Sequence, residues 1–96
     1  MNQKQVVKRI QANQARLTER GVASLSLFGS VARGNSTENS DIDLLVRFDG
    51  HADFDRYMDL KLFLEDLLGR RVDLVTDQAL REEIHAHVEQ DLLCVA

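Results

Sequence analysis

The segment from Asp41 to Phe48, read as DIDLLVRF, constrains this chain more than any other. Ile42, Leu44, Val46 and Phe48 alternate with Asp41, Asp43, Leu45 and Arg47. A period of two places the first set on one face of a β-strand and the second set on the other. Such a strand cannot bury its apolar face alone; it needs neighbouring strands and a covering layer. It also carries two carboxylates side by side on its other face, inside an otherwise apolar run. The repulsion between them calls for a compensating cation.

The remaining segments supply the missing layers. Val6, Ile10 and Leu17, among Lys, Arg, Gln and Glu, predict one amphipathic helix closed by Gly21. Val22 to Phe28 predicts a strand, with Ala23, Leu25 and Leu27 on one face and Ser24 and Ser26 on the other. Gly29 to Ser40 contains two Gly, two Asn and three Ser, which is loop chemistry with room for one helical turn. After a turn at Asp49-Gly50, Tyr57, Leu60, Leu64, Leu67 and Leu68 predict a helix ending at Gly69. Tyr57 and these leucines read as core packing. Arg71 to Val75 predicts a short strand, and Leu80, Ile84 and Val88 a last helix. The apolar tail, Leu92 to Ala96, suits a short strand or a docking segment. Strands alternating with helices over 96 residues predict one domain, residues 1–96, of α/β (α+β) class: a small mixed sheet with helices packed on it.

Composition narrows the function classes. A formal charge of −4 without a basic run argues against autonomous nucleic-acid binding. No apolar stretch nears the roughly 20 residues of a membrane span. The polar N-terminus lacks the apolar region of a signal peptide. The one cysteine, Cys94, has no internal disulfide partner and reads as a small buried apolar residue. A cytoplasmic setting follows most simply.

The candidate site grows from the strand carboxylates. Two residues along a strand advance the backbone about 6.5–7 Å, so Asp41 and Asp43 can lean on a shared cation. Val72 and Leu74 facing the core place Asp73 on the opposite face of its own strand, so a neighbouring position would gather three carboxylates on one patch. Gly29-Ser30 ends a strand and opens a loop, where backbone N–H groups and a hydroxyl can cradle phosphate oxygens. His85 and His87, two apart on a predicted helix, do not face each other and read as surface.

Gly29-Ser30, ten intervening residues, then Asp41-Ile42-Asp43 resembles the signature of the DNA polymerase β-like nucleotidyltransferase superfamily. The fuller strings, Phe28 to Gly34 and Ser40 to Val46, resemble its smallest members, the minimal nucleotidyltransferases. The resemblance implies that fold and an ATP- and Mg²⁺-dependent transfer of a nucleoside monophosphate. Gly29 and Ser30 would hold the β- and γ-phosphates, with Arg33 beside them. Asp41 and Asp43 would hold two metal ions and through them the nucleotide. Asp73 would complete the metal set beside the attacking hydroxyl and help remove its proton. The catalytic set is thus Asp41, Asp43 and Asp73. The resemblance further implies an antitoxin that adenylylates a tyrosine of a partner HEPN-domain toxin within a hetero-oligomer. Two other readings stand beside it: neutralisation by complex formation alone, favoured by the apolar tail, and the catalytic subunit of a split small-molecule nucleotidyltransferase.

Overall fold

The computed structural model describes residues 2–34, 41–50, 53–77 and 92–96, with the side chains of residues 30 and 33 excepted. Its elements run α1 (Gln3–Gln11), α2 (Gln14–Glu19), β1 (Val22–Phe28), α3 (Gly29–Arg33), β2 (Ile42–Phe48), α4 (Phe54–Leu68), β3 (Val72–Thr76) and β4 (Leu93–Cys94). The strands form a mixed sheet in the order β3-β2-β1-β4. β1 is antiparallel to β2 and β4, whereas β2 and β3 are parallel. A parallel pair needs a long crossover, and α4 supplies it.

Alternation decides what each strand buries. Ile42, Leu44 and Val46 are fully buried, as are Leu25 and Leu27 of β1, with Val72 and Leu74 of β3 nearly so. From the helices come Val6, Ile10, Leu17, Leu60, Leu64 and Leu68, packed onto that same sheet face in one continuous core. Val31 joins them from the short α3, so the helix that begins at Gly29 is pinned to the core. Gln3 Nε2 of α1 donates to the Ala32 carbonyl at 2.8 Å, tying α3 from a second direction.

Four local expectations are corrected. The first helix is two. Asn2 caps α1 through a reciprocal box with Gln5, but the run stops at Ala12, and Asn13 Nδ2 donates back to the Arg9 carbonyl at 2.9 Å. No apolar residue sits between Ile10 and Leu17 other than exposed Ala12 and Ala15, so nothing holds that stretch down as a continuous helix. In β1 the register shifts between Val22 and Ser24. This bulge turns Val22, rather than Ala23, toward the core, and Ala23 is exposed. Cys94 is exposed, not buried, because it ends a two-residue edge strand and the next residue, Val95, takes the core position. The strands begin one residue later than predicted, at Ile42 and Val72.

Helix α4 matches its prediction closely. Asp53 caps it by accepting from Arg56 N–H at 2.9 Å, and Gly69 closes it in the left-handed conformation with φ 65°. The predicted helix around Leu80, Ile84 and Val88, and with it His85 and His87, lies outside the described residues. No helix among the described residues is long and apolar enough to cross a membrane.

Candidate active site

The face of the sheet opposite the helices carries the candidate residues. Cross-strand partners share a face, so Phe28 stands beside Asp43, and Ser26 beside Leu45. On the other side of β2, the parallel register sets Asp43 directly against Asp73, and Leu45 against Val75. Adjacent strands lie about 4.8 Å apart, so the two carboxylates start from neighbouring Cα positions. Asp41 precedes β2 by one residue and belongs to the same face; there Ile42 N–H donates to the Arg71 carbonyl at 2.9 Å. Asp43 is half-buried, between half-buried Phe28, Leu45 and Val75, while Asp41 and Asp73 are exposed. The neighbourhood that the sequence could only suppose, β2 beside β3, is therefore present.

Gly29 is tied to this patch by contact. Its φ is +73°, a left-handed conformation that L side chains rarely adopt. A Cβ placed there would overlap the Asp43 carboxylate. Glycine at this position thus serves two needs: it lets the chain turn sharply from β1 into α3, and it leaves space in which the Asp43 carboxylate rests. Ser30 and Arg33 lie on α3, and their side chains fall outside the described part.

Three carboxylates offer hard oxygen donors, the set a magnesium or similar divalent ion prefers. The glycine cradle places one of them at the mouth of the β1–α3 turn. In chemistry the residues fit such an ion, and the backbone sets them on one face of the sheet. The side chains do not form a ready-made cage, however. Among the described residues, no three His, Cys, Asp or Glu groups stand close enough to hold a metal. The backbone assembles the patch, while the carboxylates remain apart on it. A groove of about 350 Å³ opens at the opposite end of the sheet, between α2 and α4, lined by Glu19, Arg20, Asp53, Asp55, Arg56 and Asp59. It shares no residue with the carboxylate patch.

Tyr57, which its helical spacing reads as core packing, and Glu65, which no sequence motif singles out, both touch the site's framework. The Tyr57 hydroxyl donates to the Leu74 carbonyl at 2.5 Å, and Glu65 Oε2 accepts from Val72 N–H at 3.1 Å. Burial first, and the Asp73 carboxylate second, push the Tyr57 hydroxyl above its ordinary pKa, so it remains a protonated donor. The available signal was the tyrosine itself: a lone phenol within a leucine stripe needs a partner for its hydroxyl.

Comparison with known proteins agrees with this geometry. Residues 5–94 match the family described as nucleotidyltransferase domain. The protein adenylyltransferase MntA of Thermococcus cleftensis is 39% identical over 85 residues, covering 88% of this chain and 86% of that protein. A solved structure, assigned by inference as a minimal nucleotidyltransferase, superposes with a TM-score of 0.83 at 35% identity, covering 97% of this chain and 95% of that one. A complex of tri-AMPylated HEPN toxin with MNT antitoxin from Shewanella oneidensis shares the fold, with a TM-score of 0.60 at 21% identity over 90% of this chain and 71% of that one. A patch of strand carboxylates beside a glycine turn, on a chain matched along nearly its whole length, thus has one reading: the chain belongs to the nucleotidyltransferase-domain family, as a minimal member similar to the protein adenylyltransferases.

Proposed function

We propose that this chain, acting as one domain, transfers AMP from ATP to a tyrosine hydroxyl of a HEPN-domain toxin and so silences it. The observation that carries the reading is the register of Asp43 against Asp73, with Gly29 making room for the Asp43 carboxylate. Asp41 and Asp43, with Asp73 completing the set, would hold the divalent ions together with the triphosphate. Gly29 and the backbone N–H groups that open α3 receive the β- and γ-phosphates, with Ser30 and Arg33 on the same short helix. Bound Mg²⁺ supplies charge neutralisation across the triphosphate. Asp73, next to Asp43, accepts the proton of the attacking hydroxyl. The tyrosine oxygen forms a bond to the α-phosphorus as the bond from that phosphorus to the bridging oxygen breaks, and diphosphate leaves. The AMPylated toxin in the similar complex, and the named activity of the Thermococcus relative, support the acceptor class.

The tail that favoured neutralisation by binding alone is committed to the fold in part, with the Leu92 and Leu93 side chains left exposed. Leu93 and Cys94 pair with β1, and Val95 is buried. Incubation with labelled ATP, Mg²⁺ and the cognate HEPN protein tests the proposal. Asp43→Asn is expected to reduce label transfer by at least about 100-fold, the scale of losing a group that stabilises charge in the transition state. Transfer unaffected by that change, or toxicity rescued in full by an Asp41→Asn, Asp43→Asn double variant, would sink it.

A further inference from the structure

β3 is the outer strand of the described sheet, so half of its backbone groups face no strand. Ile42 N–H pairs with the Arg71 carbonyl. Because a parallel ladder alternates, Arg71, Asp73 and Val75 turn their backbone groups toward β2, whereas Val72 and Leu74 turn theirs to the open edge. Both edge residues are met by side chains of α4. Glu65 accepts from Val72 N–H, and the Tyr57 hydroxyl donates to the Leu74 carbonyl. The two bonds bracket Asp73 on either side.

We infer that Tyr57 and Glu65 are positioning residues for Asp73, clamping the edge strand so that this carboxylate stays in register beside Asp43. The inference rests on the proposed role of Asp73 as a metal-binding residue and deepens it. A register slip of one residue would turn Asp73 to the core face and Leu74 outward. Main-chain pairing to β2 resists that slip from one side only. Helix α4, anchored by buried Leu60, Leu64 and Leu68, resists it from the other. The clamp also occupies edge groups that would otherwise be open to pairing with another strand.

The test measures Mn²⁺ affinity by calorimetry, together with amide hydrogen exchange along β3, in the full chain. Tyr57→Phe and Glu65→Ala are each expected to weaken Mn²⁺ binding about fivefold, the equilibrium equivalent of one lost hydrogen bond, and to speed exchange in β3. Glu65→Gln should restore binding toward the wild-type value, since its amide oxygen still accepts from Val72 while the charge is gone. In an Asp73→Asn background, Tyr57→Phe should cause no further loss of Mn²⁺ affinity. Wild-type affinity in folded Tyr57→Phe and Glu65→Ala, alongside weakened binding in Asp73→Asn, overturns the clamp and leaves the site reading intact. Unchanged affinity in Asp73→Asn itself overturns the role of Asp73, and the clamp's purpose with it. Should Tyr57→Phe fail to fold, the Glu65→Ala and Glu65→Gln pair decides the matter alone.

Discussion

Replacing Gly29 with alanine separates two demands that glycine meets at once. At φ +73°, an alanine pays about 1–2 kcal/mol for left-handed backbone. In a domain of this size that corresponds to a melting temperature lower by roughly 4–16 °C. Gly50 provides a control at the far end of β2, with φ +86° and, among the described residues, nothing within 4 Å of an added Cβ. Both alanine variants should therefore lose at least this much stability, Gly29→Ala the more because of its clash. Only Gly29→Ala drives a methyl group into the Asp43 carboxylate, and a side chain displaced by about 1 Å can cost roughly 100-fold in rate. Thermal denaturation, Mn²⁺ titration and adenylyl transfer on both variants provide the assay, run well below the melting point of either. The expected pattern is a loss of stability in both, larger in Gly29→Ala, with activity and metal affinity lost in Gly29→Ala alone. If Gly29→Ala folds and transfers AMP at the rate of Gly50→Ala, the Asp43 contact has no role in the chemistry and the reasoning fails.

Leu64, fully buried on α4, should cost about 2–5 kcal/mol on truncation to alanine, read by urea denaturation. Arg20 Nε lies 3.1 Å from Asp59 Oδ2, but the Asp59 side chain is 63% exposed, so Asp59→Asn should cost less than about 1 kcal/mol. Arg20→Ala should cost more, since the guanidinium also sits 4.0 Å over the Phe63 ring. Because the Tyr57 hydroxyl is held above its ordinary value of 10.0, its contribution to stability is full below that pH and is lost as pH rises through the folded-state value. Tyr57 is the one tyrosine in the chain, so tyrosinate absorbance in the folded protein should titrate later than in denaturant, and Tyr57→Phe should flatten the alkaline loss of stability.

The sequence by itself determined whatever depends on a residue and its near neighbours. Alternation in DIDLLVRF put Ile42, Leu44 and Val46 into the core and Asp41 with Asp43 on the other face, because a strand's period is set by backbone geometry. The leucine spacing of α4 and its Gly69 stop were legible for the same reason. The break between α1 and α2 was not, since neither Gly nor Pro marks Ala12-Asn13 and a lack of apolar anchors is a weak signal. The bulge at Ala23 and the exposure of Cys94 depend on which strand lies alongside and where the sheet ends. Tertiary structure alone decided the relations between distant segments: Asp43 against Asp73, thirty residues on in sequence, the Asp43 carboxylate over Gly29, and two α4 side chains holding the edge of β3. Pairing of strands is a choice among registers that compete in burial across the whole core, and no local pattern records the winner. The carboxylates of the candidate site were therefore written in the chain as separate letters, and the parallel pairing of β2 with β3 made them one patch.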